Sequence, residues 1–122
     1  MKLLLIDDDA FLRDMYAKKF TEGGHEVEVS DGASKAISII KRNQSFDVIL
    51  LDMIMPGMSG LELIKEIKKQ FPDMKAKCIV LSNQGQEEDI SEAKAAGAVG
   101  YIVKSESVPS GVVKKVEELF NT

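Results

Sequence analysis

The segment "KLLLIDDDAFLRDMYAKKF", residues 2–20, joins an uninterrupted apolar run to three consecutive carboxylates and then to a helical pattern. An apolar run without polar alternation is typical of a central strand in a parallel sheet, because both faces of such a strand are covered. After the carboxylates, Leu12, Tyr16 and Phe20 recur at helical spacing, with Met15 beside them. The segment therefore predicts a strand, a charged loop and a helix in succession.

The same alternation of strand and helix continues along the chain. Further apolar runs are "FDVILL" (46–51), "KCIVLS" (77–82) and "GYIVK" (100–104), whereas "HEVEVS" (25–30) alternates apolar and charged residues as an edge strand does. Apolar residues at helical spacing mark the segments between and after these strands. They are Ala33, Ala36, Ile37 and Ile40; Leu61, Ile64, Ile67 and Phe71; Ile90 and Ala93, the weakest pattern; and Val112, Val113, Val116, Leu119 and Phe120.

Five strands that alternate with five helices predict an α/β fold with a doubly wound, five-stranded parallel sheet and right-handed crossovers. With the alternating strand at an edge, the flavodoxin-like strand order 2-1-3-4-5 fits best. We expect residues 1–122 to form a single domain, since the chain has no repeat, linker or low-complexity segment.

Composition excludes several classes of function. The net charge is -4 and no block of Lys and Arg occurs, which argues against a nucleic-acid-binding surface. No apolar run approaches the roughly 20 residues that span a bilayer, and the N-terminal apolar stretch is too short for a signal peptide. The single cysteine, Cys78, cannot form an internal disulfide and is expected in the core. We therefore expect a cytoplasmic protein that binds neither nucleic acid nor a membrane.

The ends of the predicted strands carry the reactive side chains. In a sheet of this order, ligands bind beyond the carboxyl ends of the strands, at the switch point between the first and third strands. The residues at these ends are Asp7, Asp8, Asp52, Ser82 and Lys104. Carboxylate oxygens suit Mg²⁺, which takes one or two such ligands and keeps several waters. Since three carboxylates at one edge repel one another, we expect Mg²⁺ and the Lys104 ammonium to supply the compensating charge.

Simpler roles are expected for neighbouring residues. Asp9 is expected to cap the helix that follows it, with its charge favoured by the helix dipole. His25 opens the edge strand and is expected at the surface. Taken singly, Ser82 fits a turn at a strand end and Lys104 a solvated lysine. It is their convergence with the carboxylates that supports a site.

Four segments resemble the receiver domain of bacterial two-component response regulators, in the order and spacing of that family. They are "LLIDDDAFLR" at strand 1, "DVILLDMIMPGMSGLEL" around Asp52, "IVLSNQ" at strand 4 and "GAVGYIVKS" at strand 5. The resemblance covers essentially all 122 residues. It implies a chemotaxis-regulator-like, single-domain signalling protein that catalyses only its own phosphorylation and dephosphorylation and is otherwise not an enzyme.

The resemblance also implies a phosphoacceptor and a metal site. Asp52 would accept a phosphoryl group from a phosphohistidine of a sensor kinase or a histidine phosphotransfer protein. Asp8, Asp52 and the backbone carbonyl of Ile54 would bind Mg²⁺ directly, and Asp7 would act through a water.

For the response to phosphorylation, the resemblance implies three further residues. Lys104 would pair with Asp52 at rest and with a phosphoryl oxygen afterwards. Ser82 would hydrogen-bond another phosphoryl oxygen, and Tyr101 would change rotamer when Ser82 moves. The poor apolar periodicity of residues 86–96 beside a polar, mixed-charge fifth helix predicts that helix 4, strand 5 and helix 5 form the face that binds a downstream protein or dimerises on phosphorylation.

The sequence departs from the family pattern at three positions. Ser105 follows Lys104 where the family usually has proline, often in a cis peptide. Asn83 follows Ser82 where a small residue is common. Ile54 is apolar where many relatives have a polar side chain, so it lacks a group that orients water.

Three alternatives differ in the chemistry that they require. A haloacid-dehalogenase-type phosphohydrolase would use Asp7 and Asp9 as its strand-1 carboxylates, but Phe11 stands where that family has Thr or Val. A flavin-binding electron carrier would place phosphate after strand 1, where the carboxylates repel it. A phosphorylation-independent, receiver-like interaction module would not need the complete set of acids, hydroxyl and lysine.

Overall fold

The computed structural model describes residues 1–122 as five parallel strands that alternate with five α-helices. The strands are β1 (Lys2–Ile6), β2 (Glu26–Ser30), β3 (Val48–Leu51), β4 (Lys77–Ser82) and β5 (Gly100–Val103). The helices are α1 (Ala10–Glu22), α2 (Ala33–Arg42), α3 (Gly60–Gln70), α4 (Glu87–Ala96) and α5 (Pro109–Phe120). The strand order is β2-β1-β3-β4-β5, which confirms the predicted fold. None of the helices combines the length and the apolar character needed to cross a membrane.

Two clusters of buried apolar residues cover the two faces of the sheet. In β1, Leu4 and Ile6 pack with residues of α2, α3 and α4, whereas Leu3 and Leu5 pack with residues of α1 and α5. Burial of both faces explains why the central strands read as uninterrupted apolar runs. At the edge, Glu26 and Glu28 of β2 are exposed, as the alternating sequence predicts.

Three predicted strand boundaries are wrong by one or two residues. β2 begins at Glu26, not at residue 25. β3 begins at Val48, not at residue 46, and the Asp47 carboxylate accepts the main-chain amide of Lys2 at 2.7 Å. A side chain thus replaces a main-chain acceptor at that end of the sheet. β5 ends at Val103, because Lys104 begins a 3-10 turn, Lys104–Glu106. The peptide bond that follows Lys104 is trans.

The expectation that His25 lies at the surface is wrong. Its side chain is 11% exposed, and its Nε2 lies 2.8 Å from Glu117 Oε2 on α5. Its Nδ1 lies 3.1 Å from the amino nitrogen of Met1. The partner on α5 is 92 positions away in the sequence, so no local pattern indicates the contact. Cys78, by contrast, is buried as expected.

The loop between β3 and α3 folds back tightly against the end of β3. Ser59 caps α3, because its hydroxyl accepts the Glu62 amide at 3.2 Å while the Glu62 carboxylate accepts the Ser59 amide at 3.3 Å. The next amide, that of Gly60, donates to the Met53 carbonyl at 2.8 Å. A Cβ at Gly60 would overlap the Asp52 carbonyl oxygen and lie 2.8 Å from Met53 Cα. The backbone around Asp52 therefore depends on the absence of a side chain at residue 60.

Gly60→Ala should lower the free energy of unfolding by about 1–3 kcal/mol, the range of overpacking, because the methyl group meets backbone atoms that cannot rotate away. Gly111→Ala is the matched control, since Gly111 lies in the first turn of α5 and its added Cβ makes only ordinary contacts, the nearest at 3.7 Å. Alanine there should raise stability by about 0.5–1 kcal/mol. Urea unfolding measures both, and a Gly60→Ala protein as stable as wild type would contradict the packing described here.

Candidate functional site

The carboxyl ends of β1, β3, β4 and β5 surround a cleft of about 290 Å³. The sequence predicts that five residues converge at this edge, and the resemblance adds the Ile54 carbonyl as a metal ligand. The structure brings all six residues to the cleft. They are Asp7, Asp8, Asp52, Ile54, Ser82 and Lys104. The convergence follows from the sheet itself, because adjacent parallel strands present their carboxyl ends at the same edge.

Lys104 joins two of the carboxylates. Its Nζ donates to Asp7 Oδ2 and to Asp52 Oδ2, each at 2.8 Å. Burial alone would lower the pKa of Lys104, but the hydrogen bonds and charges of Asp52 and Asp7 outweigh it and raise this pKa above its usual 10.5. Lys104 is therefore charged at neutral pH. The stability that it gains is present below pH 10.5 and is lost as the pH rises through the raised pKa.

Asp7 is bound more closely than the resemblance implies. In addition to the contact with Lys104, its Oδ1 accepts the Asp9 amide at 2.9 Å. Its carbonyl accepts a hydrogen bond from Arg13 Nη1 at 2.9 Å. Asp7 is 2% exposed, and its buried carboxylate is satisfied by the Lys104 ammonium and the Asp9 amide.

The third carboxylate of the cluster comes from Asp8 and not from Asp9. Asp8 is exposed, and one carboxylate oxygen from each of Asp7, Asp8 and Asp52 lies within 4.8 Å of the others. Asp9 also lines the cleft, but its carboxylate accepts the Leu12 amide at 3.0 Å, caps α1 and lies outside the cluster. The prediction that Asp9 is a helix cap is confirmed.

The carboxylate cluster fits Mg²⁺ in both chemistry and spacing. Mg²⁺ binds oxygen at about 2.0–2.1 Å in octahedral geometry, so its ligand oxygens lie about 3–4 Å apart. The carboxylate oxygens lie within 4.8 Å of one another, which is close to that spacing. Ile54 also reaches the cleft, because its amide donates to Asp52 Oδ1 at 3.2 Å and turns the loop over Asp52. With an apolar side chain, its only oxygen for a metal is the backbone carbonyl.

The loop between β4 and α4 links Ser82 to Tyr101 through a residue that the sequence analysis missed. The Gln84 amide donates to Ser82 Oγ at 3.3 Å, and the Tyr101 hydroxyl donates to the Gln84 carbonyl. Burial raises the pKa of Tyr101, and the neighbouring Ser82 side chain offsets part of that effect. Gln84 contributes only backbone groups to these bonds, so its residue type gives no signal in the sequence.

The chain is similar in sequence to known signalling proteins. Residues 3–116 match the family described as the response regulator receiver domain. The chain is 38% identical over 120 residues to "Chemotaxis protein CheY" of Thermotoga maritima, which covers 97% of this chain and 96% of that protein. It is 36% identical over 107 residues to "Two-component response regulator PhoP" of Pseudomonas aeruginosa, covering 85% of this chain but 45% of that protein.

Solved structures show the same fold. The Vibrio cholerae chemotaxis protein CheY4 superposes with a TM-score of 0.88 at 30% identity, over 97% of each chain. A receiver domain protein (CheY-like) from Methanospirillum hungatei gives a TM-score of 0.86 at 28% identity, over 98% of this chain and 93% of the other. The sequence similarity and the structural similarity thus cover the same residues, which are nearly the whole chain. The chain belongs to the response regulator receiver domains, which are signalling domains of two-component systems with a Mg²⁺-binding acidic pocket.

Proposed function

We propose that this chain accepts a phosphoryl group on Asp52 from a phosphohistidine of a sensor kinase or phosphotransfer protein, in a Mg²⁺-dependent reaction. Residues 1–122 would act as one receiver domain. One observation carries the proposal: a lysine held by two carboxylates lies in one cleft with a third carboxylate and a buried hydroxyl. The likeness to a protein named as a two-component response regulator supports this choice of phosphoryl donor.

The transfer requires little covalent chemistry from the protein. A carboxylate oxygen of Asp52 would form a bond to phosphorus while the P–N bond of the donor breaks, and the imidazole nitrogen would leave with the electron pair. Because a carboxylate is a weak nucleophile, catalysis would consist of positioning and charge neutralisation. When bound, Mg²⁺ would offset the charge on the oxygens of the transferring group. Asp7, Asp8, Asp52 and the Ile54 carbonyl would hold the ion.

Lys104 and Ser82 would respond to the new charge. An acyl phosphate adds about 1.5–2 negative charges at one point, by analogy with other phosphorylated side chains. Lys104 would exchange its contact with Asp52 for a phosphoryl oxygen while the bond to Asp7 keeps it in place. Ser82, which is 1% exposed, has its hydroxyl at the cleft, where it would donate to a second oxygen.

The signal would leave through α4, β5 and α5, toward a downstream protein or a second phosphorylated copy of the chain. The support for this route is the weak anchoring of α4, in which Ala93 is the single buried residue. Few buried contacts make an element the easiest one to shift.

The geometry does not support the phosphohydrolase alternative. That enzyme would need Asp7 and Asp9 to face the same ligand, but the Asp9 carboxylate caps α1 and lies outside the carboxylate cluster. The alternative of an interaction module that does not accept phosphate is separated from our proposal by the first experiment below.

Incubation with Mg²⁺ and acetyl phosphate should add one hydroxylamine-labile phosphoryl group to the wild-type protein, as measured by intact mass. Asp52→Asn should add none, because the amide cannot form the acyl phosphate. Asp9→Asn is the matched control and should be labelled like wild type, since its carboxylate lies outside the cluster. Equal labelling of Asp52→Asn would disprove the assignment of Asp52, and an unlabelled wild type would favour the interaction module.

Mg²⁺ should raise the melting temperature by relieving repulsion among Asp7, Asp8 and Asp52. A ligand that binds only the folded state adds about 2.7 kcal/mol at a hundredfold excess over its dissociation constant. Asp8→Asn should remove most of this increment, and it should raise the metal-free melting temperature because one repelling charge is gone. Asp9→Asn should keep both the helix cap and the full increment, because asparagine caps a helix about as well as aspartate does. Thermal unfolding with and without Mg²⁺ measures each effect, and equal shifts for wild type and Asp8→Asn would place the metal elsewhere.

A further inference from the structure

Gly85, in the loop between β4 and α4, is a glycine that backbone conformation does not explain. The glycines with a positive φ are Gly24, Gly57 and Gly97. Gly85 is not among them, so an alanine would tolerate its backbone angles. However, a Cβ at Gly85 would lie 2.9 Å from Val103 Cγ2 and 3.4 Å from Val103 Cγ1. The loop thus approaches β5 so closely that a side chain has no room.

Val103 is a firm surface for this contact. It is the last residue of β5 and lies opposite Ser82 in the register of β4 and β5. As a β-branched residue it has few side-chain rotamers. Contact with Val103 therefore fixes the distance between the loop and the strand ends at which Ser82 lies.

The two peptide groups that flank Gln84 join Ser82 to Tyr101. The Gln84 carbonyl, which accepts the Tyr101 hydroxyl, belongs to the peptide bond between Gln84 and Gly85. The Gln84 amide donates to Ser82 Oγ at 3.3 Å. A displacement of Gly85 therefore moves the acceptor of the Tyr101 hydroxyl directly.

We propose that Gly85 is a positioning residue: its missing side chain lets the loop sit against Val103, which holds Gln84 in hydrogen bonds with both Ser82 and Tyr101. The importance of this link for signalling rests on the proposed function, because Ser82 would respond there to the phosphoryl group. The positioning itself does not depend on phosphorylation, so it is testable separately.

The test uses the ring signal of Tyr101 in the NMR spectrum of protein with fluorinated tyrosine. The chain has two tyrosines, and a Tyr16→Phe background leaves the Tyr101 signal alone. Without Mg²⁺ or a phosphoryl mimic, Gly85→Ala and Ser82→Ala should each move this signal toward that of a free tyrosine. Gly32→Ala is the matched control and should leave the signal in place, because no atom lies within 4 Å of a Cβ at that loop glycine.

A double-mutant cycle tests whether contact with Val103 causes the shift of the Tyr101 signal in Gly85→Ala. In a Val103→Ala background, Gly85→Ala should move the Tyr101 signal by less than half as much as in wild type, because the space for the new methyl group has been restored. An effect of equal size in both backgrounds, or no effect in wild type, would overturn the proposal. If Gly85→Ala fails to fold, recovery of folding by Val103→Ala supports the proposal, and continued failure overturns it.

Beryllofluoride, a mimic of the phosphoryl group, tests the link to signalling. It should move the Tyr101 signal of the wild-type protein at least twice as far as that of Gly85→Ala. Addition of Val103→Ala to Gly85→Ala should restore the response to beryllofluoride. An undiminished response in Gly85→Ala would overturn the proposed role in the switch. A wild-type signal that does not respond to beryllofluoride, with the mimic-free results as expected, would contradict the proposed function and leave the positioning role supported.

Discussion

The Lys104 ammonium, at 2.8 Å from both Asp7 and Asp52, is the contact on which the rest of the site depends. β1 and β3 are neighbours in the sheet, so the fold brings their terminal carboxylates together whatever their charge. Two like charges 4 Å apart repel by about 4 kcal/mol at an effective dielectric constant of 20. Lys104 supplies the opposite charge from a turn 97 positions along the chain from Asp7. The site is therefore complete only in a structure in which β5 has joined the sheet.

The same contact explains how a rigid sheet edge can respond to a ligand. Under the proposed function, Lys104 has two partners and exchanges only one of them, so it moves without losing its anchor at Asp7. Ser82 accepts the Gln84 amide, and under the same function its hydroxyl would also donate to a phosphoryl oxygen. A group that binds one arrangement better than the other shifts the balance between them. The loop that carries Gln84 and Gly85 would pass this shift from the cleft to Tyr101.

The sequence predicts the parts of this structure that depend on local patterns. β1 and β4 are correct to the residue, because burial on both faces leaves an uninterrupted apolar run. The convergence of the acids, Ser82 and Lys104 follows once the strand order is known. The position of Lys104 among the carboxylates was predicted from the strand ends. The contact of His25 with Glu117 was not predicted, since it joins residues 92 positions apart. Gln84 and Gly60 were missed because their contacts involve the backbone, which the residue type does not reveal.

The free energy of unfolding of Lys104→Met, without Mg²⁺, tests most directly whether Lys104 is the charge that holds the site together. We predict a loss of about 3–5 kcal/mol, because removal of one partner leaves the other charge buried and unpaired. Asp7→Asn in the same background should recover part of the loss. Lys35→Met, at an exposed position of α2, is the control and should stay within about 0.5 kcal/mol of wild type. A Lys104→Met protein as stable as this control would contradict the account.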